Sequence, residues 1–298
     1  MQICAGSNPA PGITAMIKNY IYKFFLIALI CLSAAVVVVS KNNLSLSKPD
    51  SPAVELAYFP SGQIIRGFGP TFTSLIADLA WIQIVQYYGE KVQQHDDLDK
   101  LKQILFTLVE IDPNFTYPYT LGAFLLIDNV GDYQGAIQLL DKGIKFYPDR
   151  WEFLFTKGFI IWVMGNRISD DLIQQDYYKY SGKLFELAMT KPDCPEYVIK
   201  FAAAARQKQN DYLAAAEFWF FFWGYSDFKE QKTIALKNIR VQISRYVVQK
   251  IDELKSHQET VTIEHLDIPW ELRHLPDGSE LRLVDQQPVW TEPDSSVY

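Results

Sequence analysis

The chain has 298 residues, of which 49% are hydrophobic and 14% aromatic, with a net charge of −7 and a pI near 5.2. That is ample apolar mass for one large or two small domains. An acidic chain without a basic run is a poor nucleic-acid binder, because that affinity rests on clustered Lys and Arg. Of Cys4, Cys31 and Cys194, only Cys194 lies beyond the first apolar run, so no disulfide and no Cys/His metal spacing is expected there.

Residues 1–19 read as a leader, Gly/Pro/Ala-rich and uncharged over the first 15, with Met16-Ile-Lys-Asn-Tyr resembling a natural start. Residues 20–40 form an apolar run without a charge after Lys23. At 1.5 Å per residue this run is about 31 Å long as a helix, the thickness of a bilayer core. Lys18 precedes it and Lys23 lies in its first turn, with no acid between. The positive-inside tendency then leaves the amino terminus in the cytoplasm and 41–298 outside it. A retained signal anchor is the reading adopted. A signal peptide cleaved after Val38-Val39-Ser40 is the alternative, and Ile30 before Cys31 speaks against lipid attachment.

Residues 41–70, with Ser, Asn, Lys and several prolines, read as a linker. Pro70 then opens a helical pattern, Phe72, Leu75, Ile76, Leu79, Ala80, Ile82 and Val85, ending near Gly89. Four strings follow with one apolar residue per turn. The first is Leu98, Leu101, Leu105, Val109 and Pro113. The second is Tyr133, Ala136, Leu140, Ile144 and Pro148, displaced by 35. The third is Tyr177, Tyr180, Leu184, Ala188 and Pro192, displaced by a further 44, and Arg167–Gln175 is read as its insertion. The fourth is Tyr212, Ala215, Trp219, Trp223 and Asp227, displaced by 35 again. Each proline ends its helix, lacking a donor and clashing with the preceding turn. A partner helix is expected before each string, over 71–89, 116–129, 150–164 and 195–208. Gly131-Asp132, Gly165-Asn166 and Asn210-Asp211 are the expected turns, with Gly or Asn at positive φ and Asp or Asn as the next cap.

Gly131-Asp-Tyr-Gln-Gly-Ala136 through Tyr147-Pro148-Asp149, Gly158 with Gly165, and Ala202 with Asp211, Tyr212 and Ala215 carry a family likeness. The stretch 71–227 resembles the tetratricopeptide repeat. Three features depart from that pattern: Asp227 for the closing proline, Tyr180 for a small residue, and the insertion. The resemblance implies an all-α solenoid of antiparallel helix pairs whose first helices line a groove for protein partners. Residues 228–257 read as one amphipathic capping helix. The tail 258–298 reads as extended, with a hairpin over 272–290 turning at Asp277-Gly278 and an unstructured end.

No phosphate loop, zinc-protease motif or nucleophile elbow is present, so catalytic, metal and cofactor sites are all expected to be absent. His95 beside Asp96 and Asp97 reads as a solvated loop, and His265 and His274 as surface residues. Aligned on the family, Phe155, Phe159 and Trp162 face the groove, joined by Tyr117, Phe124 and Arg206. Aromatic and Arg side chains dominate binding energy where a partner buries them, and such a groove suits an extended peptide or an amphipathic helix. For each residue singly, packing between helix pairs is the competing reading. Phe218-Trp-Phe-Phe-Phe-Trp223 is too short to span a bilayer and reads as core, with contact at the membrane surface or with a transmembrane partner as the alternative. The expectation is a membrane-anchored interaction scaffold or assembly factor and not an enzyme. A permanent subunit of a secretion, pilus or other membrane complex is the alternative.

Overall fold

The computed structural model describes Lys23, 27–29, 32, 33, 70–94, 101–255 and 260–292. The chain divides into two units, Met1–Tyr58 and Phe59–Tyr298. In the first, the described residues are helical and exposed. The expected leader lies outside the described residues, as do most of the expected anchor and all of the linker but Pro70. Among the described residues no helix is long and apolar enough to cross a membrane.

The second unit is mostly helical, its helices packed in neighbouring pairs, with one small antiparallel sheet. Helix α1 (Pro70–Gln94) packs on α2 (Leu101–Ile111), α3 (Tyr117–Leu125) on α4 (Tyr133–Phe146), α5 (Trp151–Gly165) on α6 (Asp171–Met189), and α7 (Tyr197–Lys208) on α8 (Tyr212–Tyr225). The long α9 (Lys229–Leu254) lies against α8.

The capping residues set these boundaries. Gly131 sits at φ +67° and Asn210 at φ +58°, the left-handed turns expected of them. Asp132 accepts a hydrogen bond from Gly135 N at 2.7 Å and pairs with Lys102 at 2.8 Å. Burial alone would raise the Asp132 carboxyl, but the Lys102 ammonium and the Gly135 N–H outweigh it and hold the group below the usual carboxylate range. Asp211 caps α8 through Ala214 N, and Asp170 caps α6 through Leu172 N and Ile173 N.

Four details differ from expectation. First, α1 runs past Gly89, where a Cβ would meet nothing within 4 Å and no turn forms. Second, Gly165 stays within α5 instead of turning left-handed, and Asp170 rather than Asn166 caps α6, while Asn166 Oδ1 accepts from Tyr178 OH at 2.8 Å. Third, α3 ends in a π-helical turn, Leu126–Val130.

The fourth is a register. Ala136, Leu139, Leu140 and Gly143 are buried on α4, and their counterparts on α6 are Ser181, Leu184, Phe185 and Ala188. Those lie 45 residues on (136 to 181), one more than the spacing of 44 implied. Tyr180 therefore points outward, with the Lys157 Nζ 5.7 Å from its ring centroid, and Ser181 takes the small-residue position. The helix pairs approach closely at their glycines. A Cβ on Gly158 would lie 2.9 Å from Phe185, and one on Gly122 2.9 Å from Leu105.

Residues 260–292 are folded rather than extended. A 3-10 turn (Ile263–Leu266), α10 (Trp270–Arg273) and strands β1 (Leu281–Val284) and β2 (Gln287–Trp290) pack on α9. Leu266, Leu272 and Leu281 join Ile239, Ile243 and Val247 in one apolar cluster. The hairpin turns at Asp285-Gln286, φ +52° and +60°, pairing Leu281 with Trp290 and Val284 with Gln287. The expected turn at Asp277-Gly278 closes only a single bridge, His274 to Glu280. It has another task. Asp277, 3% exposed, pairs with Arg240 of α9 and accepts from Ser279 Oγ at 2.7 Å, while Arg240 Nε donates to Ser279 Oγ at 3.2 Å.

Candidate protein-binding face

Helix α5 has no polar face, because it is packed on two sides. Phe153, Leu154, Ile160 and Ile161 are buried, and Gly158 admits Phe185 of α6. The remaining stripe, Phe155, Phe159 and Trp162, has the spacing of one helical face and is half-buried. Phe155 and Phe159 stack at 6.3 Å between centroids, and Trp162 meets Phe159 edge-on at 6.5 Å.

The neighbouring first helices extend this stripe. Phe201 of α7 stands edge-on to Phe155 at 5.0 Å, to Trp162 at 5.6 Å and to Phe159 at 6.0 Å. Tyr197, one turn earlier and 37% exposed, meets Phe155 at 5.5 Å and Trp151 at 6.0 Å. Phe124 of α3 reaches Phe159 at 6.3 Å. Edge-to-face pairs contribute about 0.5–1.5 kcal/mol each beyond burial. The flanks of these rings thus stabilise the contact between helix pairs, and their outer edges remain in reach of solvent. These contacts are the packing between helix pairs that the sequence offered as the competing reading. The Trp162 Nε1–H is shielded and has no acceptor, so packing alone holds that ring.

Of the sequence-predicted set, Phe124, Phe155, Phe159 and Trp162 come together. Tyr117 is 65% exposed and touches Phe115 at 6.4 Å, which meets Trp81 of α1 at 6.0 Å, so it joins a separate ring group. Arg206 does not reach the rings. Its guanidinium bonds Glu186 of α6 at 2.7 Å and Asp211, the α8 cap, at 3.2 Å, which clamps three helices together. Trp151, Tyr197 and Phe201 were not expected. The signal for Tyr197 and Phe201 is their four-residue spacing, beside an Ala-rich run that buries the opposite side of α7.

Other polar groups serve the scaffold. Burial and the nearby Glu152 carboxylate push the Cys194 thiol up to about 11, which leaves it protonated and unreactive near neutral pH. Lys157 is held by Asp141 at 2.6 Å. Burial disfavours its charge, but Asp141 and Tyr180 overcome that and raise its pKa above the ordinary value. His265 Nδ1 caps Thr262 N at 3.1 Å, and His274 stacks on Trp270 at 4.4 Å. His95, Asp96 and Asp97 lie outside the described residues. Among the described residues no group of three or more His, Cys, Asp or Glu is placed to hold a metal ion. No protein-family model, curated protein or solved structure matches the chain.

Proposed function

We propose that this chain is an interaction scaffold of tetratricopeptide-like helix pairs, which holds a protein segment against the aromatic band of its first helices. The observation that carries the reading is the continuity of the band. Phe124, Phe159, Trp162, Phe201, Phe155 and Tyr197 come from three helices and touch in that order. Rigid aromatic surface of this kind anchors partners at low entropic cost. A ring-lined face favours an apolar or amphipathic segment. The apolar run 20–40 is read as a signal anchor that keeps the band beside a membrane, on its extracytoplasmic side, so the natural partners are components of a membrane or envelope complex.

The test uses the full chain carrying Phe155→Ala, Phe159→Ala and Trp162→Ala, with Leu172→Ala as control, since Leu172 lies on α6 and is largely exposed. The triple variant is expected to lose at least ten-fold in partner capture while its circular dichroism stays helical, and the control is expected to capture normally. Equal capture by both variants contradicts the assignment. A reporter fused after Tyr298 is expected to be active only outside the cytoplasm, and cytoplasmic activity contradicts the topology.

A further inference from the structure

Helix α1 is apolar on two opposite sides. Ala77, Ala80, Ile84 and Tyr87 are buried on the side that packs on α2. On the other side Leu75, Leu79, Ile82 and Val85 are 49–55% exposed. A helix that is hydrophobic all round is normally buried all round, and a row of large aliphatic residues on a surface marks a contact. The buried side has its partner in α2, so the exposed side is the one that needs explanation.

The exposed side has a definite pattern. Leu75, Leu79, Ile82 and Gln86 follow at intervals of four, three and four residues, the seam of a coiled coil over two heptads. The intervals read the same in both directions about the point between Leu79 and Ile82. An antiparallel copy of α1 therefore brings Leu79 level with Ile82 of the other copy, and Leu75 level with Gln86. On the flanks it places Ile76 near Gln83 and Asp78 near Val85, so no two like charges oppose one another in this seam. Antiparallel packing also continues the up-and-down alternation of the helix pairs and opposes the helix dipoles favourably. A bilayer surface is the poorer occupant. From Pro70 to Glu90 the helix has no Lys or Arg, whereas helices that lie on anionic membranes carry them on the polar face.

We infer that α1 forms a two-fold interface with a second copy of this chain, α1 lying antiparallel on its counterpart through Leu75, Leu79 and Ile82. The contact is isologous, so it closes at two copies and leaves the aromatic band of each free.

Sedimentation of the full chain in detergent, from about 1 to 100 μM, provides the first test. The wild type is expected to approach twice the chain mass across this range. The variant Leu79→Glu with Ile82→Glu is expected to stay at one chain mass with unchanged helicity, because both positions face solvent in the single chain. A wild type that stays monomeric gives the seam to another protein or to lipid and overturns the proposal. A variant that still dimerises places the interface elsewhere and overturns it too. Cysteine cross-linking tests the orientation, in a chain with Cys4, Cys31 and Cys194 replaced by Ser. Leu79→Cys lies about 4.5 Å along the axis from its counterpart and is expected to cross-link, whereas Leu75→Cys lies about 16 Å away and is not, at 1.5 Å per residue. Cross-linking at Leu75→Cys would contradict the antiparallel arrangement.

Discussion

The two ends of the helical stack are finished in opposite ways. At the carboxyl-terminal end, α9 buries Ile239, Ile243 and Val247 under the folded residues 260–292, and the Arg240–Asp277 pair fixes the join. At the amino-terminal end, α1 shows Leu75, Leu79 and Ile82 to solvent. A stack of helix pairs has a core that would continue at both ends, so each end needs a cover. Here one cover is built into the chain, while the other end has a seam shaped for a second helix. The difference shows that an exposed apolar end has meaning only beside the end that was closed.

Substitutions should separate the two ends by size of effect. Asp277→Ala leaves the Arg240 guanidinium partly buried without its carboxylate, which costs about 3 kcal/mol. Urea unfolding is expected to show that loss, and a cost below about 1 kcal/mol would mean the pair does not secure the cover. In the middle of the stack, Gly158→Ala forces a methyl group to 2.9 Å from Phe185 and should cost about 2 kcal/mol by the same assay.

Asp132→Ala removes the α4 cap and the Lys102 pair, for about 1 kcal/mol at neutral pH. Because the folded Asp132 carboxyl is held below its unfolded value, its contribution is present above the unfolded pKa and disappears as pH falls through the folded one. The stability gap between wild type and Asp132→Ala should therefore shrink in acid, and a gap that widened there would refute the linkage. The smallest effect is expected at the open end. Leu79→Gln, measured at a concentration where the chain is single, should change stability by no more than about 0.5 kcal/mol. A larger loss would mean that Leu79 is already covered within one chain.

Much of the fold was legible because helix punctuation is local. Pro148 after Phe146, Asp132 before Tyr133 and Asn210 before Asp211 act within one turn, and each does in the structure what its type predicts. What spacing alone could not give was register across the insertion. Tyr180 and Ser181 differ by one residue in sequence, yet only packing selects Ser181 for the interior, on the side of α6 where Leu184 and Phe185 meet Gly158 of α5. The tail has its expected hairpin, but the strands join at a different turn for a related reason. Asp277-Gly278 is a strong turn signal, but its carboxylate is engaged by Arg240, 37 residues away, and the hairpin turns at Asp285-Gln286 instead.

The candidate face was half legible. Phe155, Phe159 and Trp162 fall on one stripe by spacing, so their grouping follows from the helix alone. Phe201 and Tyr197 join them only because α7 packs beside α5, and no period within one helix encodes that. Arg206 was assigned to the groove by its place in a repeat, whereas its two carboxylate neighbours, Glu186 and Asp211, decide where it points.

A photo-reactive amino acid at position 197, on the exposed edge of the aromatic band, tests the docking claim in intact cells. The account predicts a cross-linked adduct with another protein that disappears when Phe159→Ala and Trp162→Ala are introduced, and no such adduct from the same probe at position 172. An adduct of equal yield at position 172, or one at position 197 that survives the loss of both rings, would contradict it.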